Sequence, residues 1–237
     1  MSKYNILLTL NNIQKVIDNS NIQKKYFKSL EYYKYLKNIQ NKLNPKTYLE
    51  IGVRNGASIV LAPKSATCYG VDPVPAIRVN LSKKTKIYPQ TSDDFFKQNE
   101  NLPTFDLAFI DGMHLFDFVL RDFINTEKHC HKNSTIVLHD TVPKDEITAR
   151  RNRCTDFWTG DVYKIILILK KYRPDLEIHN LDIKPSGLAI VKNLNPESTT
   201  LSDNYDKIIE EYINMAYEEN IKEKLFIKPS SDFEKIF

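Results

Sequence analysis

Two acids bracket a glycine-bearing turn early in this chain. In TYLEIGVRNGASIVLAPKSATCYGVD, residues 47–72, an apolar run ends at Glu50, the turn runs from Gly52 to Gly56, and a second apolar run ends at Asp72. Further on, FDLAFIDGMH (105–114) delivers Asp111 and His114 at the end of an apolar run, and STIVLHD (134–140) delivers His139 and Asp140. Carboxylates and imidazoles of this kind can bind ribose hydroxyls, hold a divalent cation or move a proton. Glycines in a strand-to-helix turn let the backbone approach a ligand, and an acid about 20 residues later suits a ribose.

The glycine spacing bears on which nucleotide is bound. Dinucleotide sites read G-x-G-x-x-G and place a pyrophosphate on a helix N-terminus. Here the spacing is G-x-x-x-G behind Glu50. An acid at the head of the loop repels pyrophosphate and suits a ligand that carries an ammonium and a sulfonium.

For these charges to converge, the segments must alternate. Strands are expected at 47–51, 68–72, 86–89, 105–110 and 135–139, with helices near 57–62, 75–81, 92–99 and 115–130. Such alternation implies a parallel sheet with right-handed crossovers, and all four acids then lie at its carboxyl edge. After a charged loop at 141–160, the apolar stretch VYKIILILKKY predicts a helix closed by Arg173-Pro174. The runs 176–181 and 187–192 are too close together for a parallel crossover and predict an antiparallel hairpin. Residues 4–42 read as helices, with Ile22, Tyr26, Leu30, Tyr33 and Leu36 at three- and four-residue steps. An acidic amphipathic helix over 203–222 is expected at the periphery.

With these phrases in this order, residues 45–193 resemble the class I S-adenosylmethionine-dependent methyltransferases, and most closely a small bacterial methyltransferase-domain family associated with capsule and glycan biosynthesis. The resemblance implies an α/β, Rossmann-like fold: a seven-stranded, mostly parallel sheet with an antiparallel last strand and helices on both faces. It implies a helical cap over 1–44, a cofactor-binding domain over 45–193 and a helical extension over 194–237. In the cofactor set, Glu50, Gly52, Val53, Gly56 and Ser58 hold the methionine end, and Asp72 and Pro73 the ribose. Ser92 and Asp93 approach the adenine, and Asp111, Gly112 and His114 lie beside the donor methyl. The acceptor is expected to be a sugar or glycan hydroxyl, methylated with the help of Asp111, His114 and His139.

Alternatives accompany these assignments. Asp111, His139 and Asp140 form a candidate cation site, with magnesium as the family's ion, although imidazole suits magnesium poorly; His114 or His139 can instead act as general base. Ser92, Asp93 and Asp161 can simply cap helices. The arginines at 150, 151 and 153 can hold an anionic acceptor or only face water, and Trp158, Asp161 and Lys164 match a family phrase that shapes the acceptor pocket. The aromatic and basic residues of 21–38 favour a packed cap or dimer contact over an RNA site. An RNA or protein methyltransferase and a NAD-dependent oxidoreductase or epimerase remain the competing functions. The 237 residues suffice for one domain, and 34 basic against 30 acidic residues is too even a balance to indicate nucleic acid. Cys68, Cys130 and Cys154 have no metal-binding spacing and are expected as thiols in a cytoplasmic enzyme with no membrane span.

Overall fold

The computed structural model describes residues 31–99 and 101–237, so the expectation of helices over 4–30 lies outside the described residues. The first described helix, α1 (Glu31–Leu43), precedes β1 (Thr47–Ile51), β2 (Thr67–Val71) and β3 (Thr85–Tyr88). Next come α2 (Ser92–Gln98), β4 (Phe105–Ile110), α3 (Phe116–Lys128), β5 (Cys130–His139) and α4 (Lys164–Tyr172). The hairpin β6 (Glu177–Asp182) and β7 (Leu188–Lys192) is followed by the short helices α5 (Thr200–Asp203), α6 (Tyr205–Tyr212) and α7 (Ile221–Lys224), and by β8 (Ile227–Pro229).

The sheet order is β3-β2-β1-β4-β5-β7-β6-β8. β7 runs antiparallel to both β5 and β6. The α/β, Rossmann-like expectation holds, with an eighth strand added at the edge. Alternation along each strand sends side chains to opposite faces: Leu49 and Ile51 pack with α3 and α4, and Tyr48 packs with α1. No helix among the described residues is long and apolar enough to cross a membrane.

Three expected helices differ. Of 57–62 only a 3-10 turn, Ile59–Leu61, forms. No helix forms over 75–81. That segment is instead bonded to the Gly52–Gly56 loop, the N–H groups of Ala76 and Arg78 donating to the carbonyls of Arg54 and Asn55 at 2.8 and 2.9 Å. The expected helix 203–222 breaks after Tyr212. The C-terminal segment is not peripheral either, since Ile208, Ile221, Leu225 and Phe233 are all buried. Burying those apolar chains requires the backbone to follow the core rather than a single helical axis.

Arg173, just past α4, is buried and makes a two-bonded ion pair with Glu127 of α3 at 2.6 and 2.9 Å. Removing the guanidinium strands a buried carboxylate, which costs roughly 3–5 kcal/mol. Arg173→Ala should therefore lower unfolding free energy by about that amount in a urea titration; a change near zero would mean Glu127 finds water or another donor.

Candidate active site at the carboxyl edge of the sheet

A cavity of about 740 Å³ opens over the carboxyl ends of β1, β2, β4 and β5. Its size is ordinary for a small-molecule site. Gly52, Asp72, Pro73, Ser92, Asp93, Asp111, Gly112, His114, His139 and Asp140 all line it. The parallel register brings these residues together, because β1, β2, β4 and β5 all end at this edge.

Gly52 is required by sterics. Its φ is +91°, and a Cβ there would stand 2.1 Å from the carbonyl oxygen of Asp111. Asp72 orders the rim, accepting the N–H of Arg54 at 2.7 Å and of Val74 at 2.8 Å. An ionised carboxylate has about four acceptor positions, so two remain for a ligand.

Glu50, Val53, Gly56 and Ser58 are not among the residues that line this cavity. Glu50 is fully buried; Tyr48 and Ser58 donate their hydroxyls to its two oxygens at 2.7 and 2.6 Å. Burial lifts its pKa to about 8 against those two hydrogen bonds. Its side chain follows the pleat of β1 into the same face as Tyr48 and so lies beneath the loop. Val53 belongs to the apolar cluster on that face, and Gly56 leaves room for Val79 and Ile77.

At the other end, two carboxylates and two imidazoles form one cluster. His139 Nδ1 is 3.0 Å from Asp111 Oδ1 and 3.5 Å from Asp140 Oδ2. His114 Nδ1 is 3.1 Å from Asp140 Oδ2 and 3.0 Å from the carbonyl oxygen of Trp158. Burial depresses the pKa of His114, but the Asp111 hydrogen bond and the charges of Asp140 and Asp111 raise it to about 9. Burial acts the same way on His139, and Asp140 and Asp111 lift it well above the usual range. While so paired, both rings keep their protons at neutral pH and neither accepts one from a hydroxyl. Asp140 has φ +60°, a conformation uncommon outside glycine that turns its carboxylate back toward the cluster.

Asp111, His139 and Asp140 each offer one ligand atom within 4.8 Å of the others. Two carboxylates and an imidazole match the donors of a divalent cation, and mixed oxygen and nitrogen ligation favours manganese, iron or zinc over magnesium.

The 141–160 loop sorts differently from expectation. Arg150 pairs with Glu146 at 2.9 Å, Arg151 with Asp117 at 2.9 Å and Asp161 at 3.0 Å, and Arg153 donates to the carbonyls of Thr155 and Asp156 at 3.2 and 3.0 Å. All three guanidinium groups already have acceptors within the protein. Asp161 accepts the N–H of Phe116 at 3.0 Å at the start of α3, and Lys164 pairs with it at 3.1 Å; neither lines this cavity. Trp158 does, stacked on His114 with ring centroids 5.3 Å apart. Gly160 permits that approach, since its Cβ would stand 1.7 Å from the His114 carbonyl oxygen. The cap of α2 is neither Ser92 nor Asp93 but Thr91, whose hydroxyl accepts the N–H of Asp94 at 3.1 Å. Asp93 instead pairs with Arg121 at 3.1 Å.

Several lining residues escape a reading of the sequence. Tyr32 of α1 packs on His139 with ring centroids 4.1 Å apart and planes tilted by 34°. Its signal was the aromatic helix face, which reads equally as plain packing. Ser186, in the turn before β7, lies 3.4 Å from His139 Nε2. Asp122 of α3 is buried at the cavity wall. It falls among the apolar residues of an amphipathic helix, where an acid normally faces water.

Residues 49–141 match a family model described as "Methyltransferase domain". The methyltransferase class expected from the sequence is what the match supports. No curated protein matches the chain. Among solved structures, an O-methyltransferase from Streptomyces achromogenes involved in tomaymycin synthesis, in complex with SAM, aligns at TM-score 0.58 and 13% identity over 78% of this chain and 89% of that one. An O-methyltransferase from Bacillus cereus in complex with SAH aligns at 0.55 and 16%, over 77% and 99%. An SAH-bound methyltransferase from Podospora anserina aligns at 0.56 and 16%, over 69% and 78%. At such identities the likeness is one of fold.

Burial pushes the Asp122 carboxyl up to about 7, with a hydrogen bond from Ser92 acting the other way. The unfolded chain therefore loses this proton first. The stabilisation is complete below about pH 4 and is lost as pH rises to about 7. Asp122→Asn should accordingly become steadily more stable relative to the parent across that window, by thermal melts at stepped pH. Parallel melting curves across it would show Asp122 ionising as an ordinary surface acid.

Proposed function

We propose that this protein transfers a methyl group from S-adenosylmethionine to a hydroxyl of a small-molecule acceptor of sugar or glycan type. One observation carries the reading: a single cavity connects Asp72, at the tip of β2, with the Asp111, His139 and Asp140 cluster at the tips of β4 and β5. The methyltransferase-domain match over that edge supports it, as do the SAM- and SAH-bound structures of like fold.

In this reading Asp72 accepts the ribose hydroxyls, and the backbone at Gly52 and Gly112 lets the donor lie close against the strand tips. Ser92 and Asp93 flank the adenine. The acceptor hydroxyl sits at the Asp111 and His139 end, in line with the sulfur–methyl bond, and attacks as that bond breaks; S-adenosylhomocysteine leaves, and the hydroxyl proton passes to water in the open cavity. Positioning supplies much of the rate. A divalent ion held by Asp111, His139 and Asp140 would make the hydroxyl more acidic. Trp158 and Tyr32 wall the site and exclude water, and carboxylates beside an aromatic wall suit a polyhydroxyl acceptor.

The RNA and protein alternatives lose their aromatic surface in the described part of the N-terminal helix, where Tyr32, Tyr33 and Leu36 are buried. A NAD-dependent reaction would need a pyrophosphate seat, and the loop lacks the third glycine of that motif.

Calorimetric titration separates the two ends of the cavity. Asp72→Ala should weaken S-adenosylhomocysteine binding by at least roughly tenfold, about 1.4 kcal/mol. His139→Ala should bind it within a few-fold of the parent and, with one donor of the Asp111, His139 and Asp140 set removed, lose about 100-fold in methyl transfer. Normal binding by Asp72→Ala would overturn the cofactor placement.

A further inference from the structure

A second cavity, of about 590 Å³, adjoins the first and shares Phe157 and Pro185 with it as common walls. Its floor is apolar, from Val142, Pro143 and Ile227, and its rim carries three lysines, Lys144, Lys184 and Lys222, against one acid, Asp182. These lysines come from three separate parts of the chain: the loop after β5, the β6–β7 turn and α7. Lys184 pairs with Asp182 at 2.9 Å, and Lys222 donates to the carbonyl oxygen of Lys144 at 2.9 Å. Lys144 forms no salt bridge among the described residues, although it interacts electrostatically with the adjacent Asp145. The rim thus holds two positive charges in excess, over a low-dielectric floor that concentrates their field.

The position ties this annex to the reaction centre. Lys184 precedes Ser186 by two residues, and Ser186 Oγ lies 3.4 Å from His139 Nε2. Two residues of chain span at most roughly 7 Å, so the annex begins within on the order of 10 Å of the acceptor end. Of the three arginines of the neighbouring loop, Arg150 and Arg151 are held by carboxylates and line neither of these two cavities, whereas all three lysines line the annex. Lysine binds phosphate as a point charge, and a phosphate group carries between one and two negative charges near neutrality, matching the excess on the rim.

We propose that the lysine-rimmed annex binds a phosphate or diphosphate group borne by the acceptor, so that the substrate is a phosphorylated sugar-type molecule whose free hydroxyl reaches the Asp111 and His139 end. This deepens the proposed function and rests on it for the identity of the reacting group. A single carboxylate would leave one excess charge unmatched. A neutral sugar would leave both.

The test uses the full chain and the double variant Lys144→Gln/Lys184→Gln, with inorganic pyrophosphate as probe in low-salt titration calorimetry. Pyrophosphate should bind the parent and bind the double variant roughly tenfold more weakly or worse, with added salt weakening the parent's binding. With the S-adenosylhomocysteine complex, sugar phosphates should bind and the corresponding neutral sugars should not. Failure of the parent to bind pyrophosphate, equal binding by the double variant, or equal binding of neutral and phosphorylated sugars would each overturn the annex. Titration of S-adenosylmethionine into the same two proteins reads the other proposal separately. Both should bind it alike, and a parent that binds pyrophosphate but not S-adenosylmethionine would refute the methyl-transfer reading while leaving the phosphate site standing.

Discussion

The tips of β1 and β4 lie so close that Gly52 has no space for a side chain against the Asp111 carbonyl. This closeness brings the Gly52 turn and the acid-histidine cluster to one cavity. The N–H of Gly52 donates to Val71 at 2.8 Å and that of Asp111 to Ile51 at 2.8 Å, so the ladder continues to the last residue of each strand. Side chains emerging just past those bonds are held by the sheet rather than by flexible loops. Under the proposed function, aligning a hydroxyl with a sulfur–methyl bond gains from such rigidity, because small displacements of reacting groups cost large factors in rate.

Charge compensation is the second constraint. Asp111 and Asp140 bring two carboxylates into a largely buried corner, and the protein answers with His114 and His139 from the same edge. The carboxylates hold those rings protonated, and the rings in turn hold Asp111 well below the usual carboxylate range despite its burial. A divalent cation would supply the same two charges from one point. The corner is thus balanced either by two imidazolium groups or by an ion.

Much of the fold was legible because its signals are local. β1 and β4 coincide with the expected 47–51 and 105–110, since apolar runs ending in a polar turn leave little freedom in where a buried parallel strand stops. Helix 75–81 failed for a tertiary reason: the N–H groups of Ala76 and Arg78 are taken by the carbonyls of Arg54 and Asn55, which outweighs a weak apolar period. The site was less legible where tertiary direction decides. Glu50 has the position of a ligand-binding acid, yet the pleat of β1 turns its carboxyl beneath the loop toward Tyr48 and Ser58. Asp161 likewise serves α3, which precedes it by 45 residues in its contact with Phe116, and no spacing rule anticipates a cap supplied across such a distance. Tyr32 reaches His139 only because the N-terminus of α1 docks on the β6–β7 turn, the Tyr32 N–H donating to the Lys184 carbonyl at 3.2 Å.

That docking also explains how the chain divides its labour under the proposed function. The matched segment 49–141 contains the strand tips of the first four parallel ladders, from Gly52 and Asp72 to Asp111 and Asp140. The remaining cavity wall comes from outside it: Tyr32 and Tyr33 of α1, Arg153 to Trp158 of the long loop, and Pro185 and Ser186 of the β6–β7 turn. These three segments contact one another or the cluster directly, Trp158 through His114 and Ser186 through His139, so they can change in sequence without moving the strand tips. A scaffold built this way keeps the donor end constant while the acceptor end varies. Acceptor choice is then a property of those segments and of the lysine-rimmed annex that Phe157 and Pro185 join to them.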